Sequence, residues 1–244
     1  MATDAPSTRP WPLPTSPWVM KQEWHDLLFM HWPVAPDHLR PLIPAALALE
    51  TFDGNAWLGI VPFHMTGIRL RGFPPLPGLS AFPELNVRTY VRNGDKPGVW
   101  FFGLDAASRL AVTLARRWYH LPYFHARMSV GIEGGEIRYA CERAHRGEPS
   151  ASFRATYRPS GDVIRAQLGT LEFFLIERYC LYAARGNTIF CGEIDHPPWP
   201  LQPAEASIEL NTMAACHGVA LPGLTPLLHF ARFQNVRIWS VREV

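Results

Sequence analysis

From Glu84 to Val91 the chain alternates without a break. Glu84, Asn86, Arg88 and Tyr90 fall on one face and Leu85, Val87, Thr89 and Val91 on the other, because successive side chains of a strand point to opposite sides. A period of two held over eight residues specifies a strand with one polar and one apolar face. A second, aromatic strand (Gly98–Asp105) follows through Asn93-Gly94-Asp95, which suits a hairpin turn. The pattern recurs along the chain. Leu47–Phe52 and Ala56–Arg69 flank Asp53-Gly54, and Phe124–Glu133 and Glu136–Ala144 flank Gly134-Gly135. Pro62 within the second of these strands implies a strand edge or a bulge. Trp18–Trp32, Ser152–Arg158, Arg178–Ala183, Asn187–Glu193, Gln202–Asn211 and Leu227–Val241 read as further strands.

Helical periodicity is sparse. Pro36–Leu42 fits a short helix ending before Pro44, and Phe173–Ile176 another that leads into a strand. Ala106–Tyr119 is the longest. Leu110, Ala111, Leu114 and Trp118 form its apolar stripe, expected to be core packing, and Asp105 is the expected N-cap. Arg109, Thr113 and Arg116 line its far side, and Arg116 and Arg117 read as a solvated face. Arg71–Pro83, with four prolines, is a loop. Many strands joined by Gly- and Asn-rich turns, with a few short helices, point to a mainly β (α+β) fold. The expected form is an antiparallel barrel or curled sheet with peripheral helices. One domain spans residues 18–244. Residues 1–17 hold five prolines and little to pack, so they read as a flexible tail, and Met20 is an alternative start.

Composition removes several function classes. A net charge of +2 argues against nucleic-acid binding, and no run of 18 apolar residues exists to span a membrane. Cys141, Cys180, Cys191 and Cys216 form no CxxC pair, and Ala2–Pro17 lacks a leader's apolar stretch. Reduced cysteines in the cytoplasm follow from that. G-x-S-x-G, P-loop, Rossmann and HExxH patterns are all missing, and no cofactor is implied. His25 and His31 share parity with Leu27 and Phe29, which makes them half-buried; no third ligand joins them, so no metal is expected. Glu193, Asp195 and His196 read as a capped loop.

Several motifs together carry a family likeness. They are Trp24-His25-Asp26-Leu27-Leu28-Phe29 with His31-Trp32-Pro33-Val34, Leu42-Ile43-Pro44, and Thr51-Phe52-Asp53-Gly54 with Ala56-Trp57-Leu58-Gly59-Ile60-Val61-Pro62-Phe63. Glu84–Val91, Leu121-Pro122-Tyr123 and Pro198-Trp199-Pro200-Leu201-Gln202 complete the set. From Trp18 to the C-terminus the chain resembles the YqjF-like family, a domain of unknown function (DUF2071). That family is distantly similar in fold to acetoacetate decarboxylase, a closed β-structure with an internal cavity. The resemblance implies that Glu84 matches a glutamate on a central strand of the decarboxylase. It also implies that Pro122-Tyr123-Phe124-His125-Ala126 matches its Pro-Lys-Lys-x-Ala segment, whose first lysine forms an imine with substrate. Tyr123 stands at the imine position, and tyrosine forms no Schiff base. The two lysines, Lys21 and Lys96, lie elsewhere.

The polar face of the Glu84 strand turns either to solvent or to the cavity. Four residues apart, Glu84 and Arg88 are separated by roughly 13 Å and do not pair directly. They suit opposite ends of a small ligand, with Arg88 on a carboxylate or carbonyl and Glu84 as acceptor or general base. Tyr123, His125 and Arg127 share a face of the next polar strand. The candidate catalytic residues are thus Glu84 and Tyr123, and the candidate ligand-binding residues Glu84, Asn86, Arg88, Tyr123 and His125. The expected ligand is a small carbonyl or carboxylate compound. The alternative is a non-catalytic interaction module whose barrel is filled by its own side chains. Exposed aromatic residues around Gly72–Pro83 would then mark a partner or a homo-oligomer surface.

Overall fold

A computed structural model describes residues 8–76 and 78–244. In chain order the elements are β1 (Met20–Val34), α1 (Pro36–Leu39, extended by a 3-10 turn at Arg40–Leu42), β2 (Ala48–Leu49) and β3 (Ala56–Leu70). Then come β4 (Phe82–Asn93), β5 (Lys96–Ala106), α2 (Arg109–Trp118), β6 (Tyr123–Glu133), β7 (Glu136–Arg143) and β8 (Ser152–Pro159). The chain continues with α3 (Leu171–Ile176), β9 (Cys180–Arg185), β10 (Thr188–Asp195), β11 (Leu201–Asn211), a 3-10 turn at Ala215–His217, β12 (Leu227–Ile238) and β13 (Arg242–Glu243).

Strand pairing closes twice. One circuit runs β5-β6-β7-β8-β11-β12-β1-β3-β4 and returns to β5; the other runs β5-β9-β10-β12-β1-β3-β4 and also returns to β5. The wall β12-β1-β3-β4-β5 belongs to both. Its alternation therefore feeds two cores. Leu28, Met30, Leu58, Ile60, Leu85 and Val87 pack with Tyr139, Phe153 and Phe230 in one. Leu27, Phe29, Val61, Phe63 and Tyr90 pack with Leu104, Leu181 and Ile194 in the other.

Most expected elements are present, and the departures have physical causes. Two pairings are parallel, β5 with β6 and β5 with β9, so the closed sheet is mixed rather than wholly antiparallel. Asp53 and Gly54 do adopt the positive φ values of a tight turn. The expected strand Leu47–Phe52, however, shrinks to Ala48–Leu49, which pairs with β4 because β3 already has β1 and β4 on its two sides. Pro62 lies in the middle of the sheet, opposite an irregularity between His25 and Met30 where its missing N–H is tolerated.

Helix α2 starts later than expected and is capped by the Ser108 hydroxyl, which accepts from the Ala111 N–H. Asp105 is no cap. It is buried in β5 and accepts two hydrogen bonds from Arg143, at 2.8 and 2.7 Å. Glu193 and Asp195 lie in β10 rather than a loop, and both are ion-paired. His31 is fully buried, beyond the half-burial expected. Of the residues expected to form a flexible tail, 1–7 lie outside the described residues. Arg9 pairs with Glu193, the Thr8 hydroxyl donates to Glu177, and Trp239 Nε1 donates to the Ser16 carbonyl.

β5 approaches β9 closely at Gly98, where an added Cβ would stand 2.6 Å from the Cys180 carbonyl oxygen and 2.8 Å from Cys180 Cβ. Gly98→Ala is expected to destabilise the protein by about 1–3 kcal/mol in urea unfolding, because the parallel pair must move apart. Gly131→Ala, with nothing within 4 Å, is expected to change stability by under about 0.5 kcal/mol. Equal effects at the two positions would refute the close approach.

Candidate functional site

The second circuit encloses a cavity of about 510 Å³. Glu84, Asn86 and Arg88 line it from β4, Tyr123 from the start of β6, Arg178 from the entry to β9, and His196 from just beyond β10. The polar face of β4 is thus an inner wall, with its apolar face in the neighbouring core. Apolar side chains supply most of the remaining lining, among them Trp24, Phe63, Leu104, Leu181 and Trp199.

Tyr123 reaches Glu84 because β6 pairs with β5 in parallel register, Leu104 beside Tyr123, while Leu104 faces Asn86 across the β4–β5 ladder. The Tyr123 hydroxyl donates to Glu84 Oε2 at 2.8 Å. Glu84 is 3% exposed. Burial pushes its carboxyl up to about 8, against the lowering effect of the Tyr123 bond, and the nearby Asp105 carboxylate raises it further. Burial and the adjacent Glu84 hold the Tyr123 phenol well above its ordinary value. At neutral pH the pair is therefore a carboxylic acid beside a phenol. Tyr123 satisfies one carboxyl oxygen, and the acid's own proton remains available to a ligand.

Farther along β4, the Arg88 guanidinium donates through Nη2 to the Leu175 carbonyl at 3.3 Å and lies 5.6 and 5.8 Å from the Phe29 and Tyr90 rings. Its Nε is buried without a partner, and among the described residues no carboxylate forms an ion pair with it. Gly59 leaves the room this requires: a Cβ there would stand 3.3 Å from Arg88 Cγ and 3.2 Å from the His31 ring. His31 Nε2 lies 2.7 Å from the Tyr90 hydroxyl. Burial, with the charge of Arg88, holds His31 well below its ordinary pKa, hence neutral. Asn86 Oδ1 is also buried without a partner. Arg178, by contrast, is ion-paired with Glu50 and donates to the Phe174 carbonyl at 2.6 Å.

Four of the five expected ligand-binding residues meet in this cavity: Glu84, Asn86, Arg88 and Tyr123. His125 does not line it. β6 pairs with β5 only as far as His125 and then crosses to β7, so the face shared by Tyr123, His125 and Arg127 leaves the circuit. His125 is half-buried and Arg127 pairs at the surface with Glu142. Arg178 carried no motif signal as a site residue, and His196 stood out only with Glu193 and Asp195 in a cluster read as a capped loop. They arrive through the α3–β9 junction and the end of β10, long-range contacts that local pattern does not encode.

The apolar stripe of α2 also differs from expectation. Leu110, Ala111, Leu114 and Trp118 line the cavity's mouth, and Leu110 and Trp118 are exposed rather than packed in a core. Neither lysine lines the cavity. Lys96 Nζ bonds Glu193 at 2.8 Å, and Lys21 lies over the Trp18 ring.

A carboxyl whose folded pKa exceeds its unfolded value leaves the native state holding a proton that the unfolded chain has released. Native stability is then fully present below about 4.5, falls as pH rises, and levels off above about 8. Glu84→Gln keeps the shape and an acceptor for Tyr123 but has no proton to lose. The wild type is expected to lose several kcal/mol relative to this variant between those limits, since each tenfold in acidity is worth about 1.4 kcal/mol. Parallel stability–pH curves would show that Glu84 is not held neutral.

Comparison with known proteins places this geometry in context. The sequence model of DUF2071, described as an uncharacterized conserved protein, matches residues 21–235. The chain is 46% identical over 231 residues to the uncharacterized protein YqjF of Bacillus subtilis (strain 168), covering 95% of each. Acetoacetate decarboxylase from Legionella pneumophila is similar in fold, with a TM-score of 0.65 at 14% identity over 97% of this chain and 92% of that one. An acetoacetate decarboxylase-like enzyme from Sphingomonas wittichii RW1 gives 0.62 at 14% identity over 98% of both. The enduracididine biosynthesis enzyme MppR gives 0.66 at 10% identity over 94% of this chain and 88% of that one. Among the described residues no helix is long and apolar enough to cross a membrane.

Proposed function

The chain belongs to the DUF2071 family, and from that premise we propose that it is a cytoplasmic protein whose decarboxylase-like cavity binds a small carbonyl or carboxylate compound without Schiff-base chemistry. The observation that carries this reading is the convergence of Glu84, Asn86, Arg88 and Tyr123 on one cavity that no lysine lines. Arg88, with no acidic partner among the described residues, suits a carboxylate. The protonated Glu84 suits a carbonyl or hydroxyl oxygen, to which it can donate while Tyr123 fixes its orientation. MppR, alike in fold, has been captured with pyruvate, a small keto acid. The cytoplasmic location rests on the four unbridged cysteines. A side-chain-filled module predicts no interior space, and some 510 Å³ of open volume favours the binding reading over it.

A melting-shift screen of short keto acids, carboxylates and ketones tests the proposal. At least one should stabilise the wild type. Arg88→Ala should weaken that ligand by roughly tenfold to a hundredfold, the worth of a charge-assisted hydrogen bond. Borohydride added with pyruvate should trap no adduct, and an adduct on Lys21 or Lys96 would overturn the chemistry. No stabilisation by any compound would sink the binding reading itself.

A further inference from the structure

We propose that the ligand is amphipathic: a monocarboxylate whose head is held at Arg88 and whose long unbranched apolar tail runs past Glu84 to the cavity's mouth. This rests on the binding reading above and adds the substrate class and its orientation.

Buried polar groups concentrate toward the closed end of the cavity, and large apolar side chains dominate the open end. Along β4 the lining residues run Phe82, Glu84, Asn86, Arg88, beginning directly after the loop at 71–81. At roughly 3.3 Å per residue, Arg88 lies roughly 20 Å farther from that loop than Phe82 does. The Arg88 end is stopped by α3, whose Leu175 is fully buried and supplies the carbonyl that Arg88 contacts. The opposite end opens between the loop and α2.

Around that opening stand Leu70, Phe73, Leu76, Leu110 and Trp118, exposed by 48, 66, 55, 48 and 52%. Single exposed apolar side chains are ordinary, but five large ones gathered on the rim of one cavity form a contiguous patch that calls for a partner. Three separate parts of the chain supply them: the end of β3, the loop after it, and α2. Leu110 and Trp118 belong to the stripe of α2, whose opposite face carries exposed Arg109, Thr113 and Arg116. The helix is thus oriented with its apolar side over the mouth.

A short acid such as pyruvate, seated at Arg88, would leave the rim and the stretch past Trp24, Phe63 and Leu104 uncovered. A fatty-acid chain covers all of it while its single charge meets the guanidinium of the closed end, which has no ion-pair partner among the described residues. Each buried methylene strengthens binding roughly threefold to fourfold. Keeping Glu84 protonated also removes a second negative charge from the channel that the tail must follow.

Arg69 lines the rim as well, so the opposite orientation, carboxylate at the mouth and tail inward, is the competing arrangement. Titrations of the full chain with acetate, hexanoate, decanoate and tetradecanoate below their micelle concentrations, and with decanol, distinguish these. Quenching or calorimetry reads them directly, because Trp24, Trp118 and Trp199 line the cavity. The expected result is affinity rising steeply with chain length to decanoate, with decanol at least tenfold weaker than decanoate. Arg88→Ala should cost decanoate at least tenfold and Arg69→Ala less than threefold. A double variant of two outward residues, Phe73→Ser with Leu76→Ser, should weaken the long acids at least tenfold and leave hexanoate unchanged.

Short acids binding with no gain from chain length would overturn this inference and leave the binding reading intact. Loss at Arg69→Ala with none at Arg88→Ala would overturn the orientation. A rim variant that changes sedimentation but no acid affinity would assign the patch to a protein contact and overturn the proposal. No acid of any length binding would end both readings.

Discussion

Because β12, β1, β3, β4 and β5 wall two closed circuits at once, the shared stretches of these strands bury both faces, and polar groups carried there, such as Glu84, Asn86 and His31, are enclosed. β4 is the extreme case. Its apolar face completes one core, and its polar face has no water to turn to except what the second circuit holds. The low polarity of that enclosure dictates the protonation states within it. A carboxyl there gives up its charge, a phenol keeps its proton, and a histidine such as His31 stays neutral.

The same enclosure explains why two arginines of the cavity behave differently. Arg178 is matched by Glu50 and held by the Phe174 carbonyl, so its charge is accounted for within the chain. Arg88 has the Leu175 carbonyl, a side-chain hydrogen bond with Tyr90 and two aromatic faces, and no carboxylate pairs with it among the described residues. A half-buried cation with an unfilled donor is tolerable where a ligand's anion can enter and costly where none does. Asn86 Oδ1, another buried atom without a partner, borders the same space. Trp199 Nε1 is a third such atom on a residue that lines this cavity.

Several cationic side chains outside the cavity are committed to one carboxylate. Glu193 gathers Arg9, Lys96 and Arg242, together with the Trp11 indole N–H. One buried carboxylate is in this way shared by three cations from the N-terminal segment, β5 and β13, and Lys96 does not line the cavity. The position at which the similar decarboxylases are expected to carry an amine holds a phenol.

How far the sequence reached follows from the range of the forces involved. The hairpin turns at Asp53-Gly54, Asn93-Gly94 and Gly134-Gly135 and the alternation of Glu84–Val91 were legible, because turn geometry and side-chain parity are set by neighbours in the chain. The motifs also pointed to the family and to Glu84, Asn86, Arg88 and Tyr123 as a group. What they left open was the side of β4 that water occupies, since an alternating strand is the same sequence whether its polar face meets solvent or a chamber. Only the second closure, through the parallel β5–β9 pair and the β10–β12 contact, decided that. His125 shows the complementary limit. It shares parity with Tyr123, yet two residues farther on β6 has left one circuit for the other. The stripe of α2 shows the same limit, because an apolar stripe looks alike in sequence whether it packs in a core or borders the mouth of a cavity. Parity and turns come from local covalent geometry; enclosure comes from strands far apart in the chain, and it alone fixes which polar groups lose water.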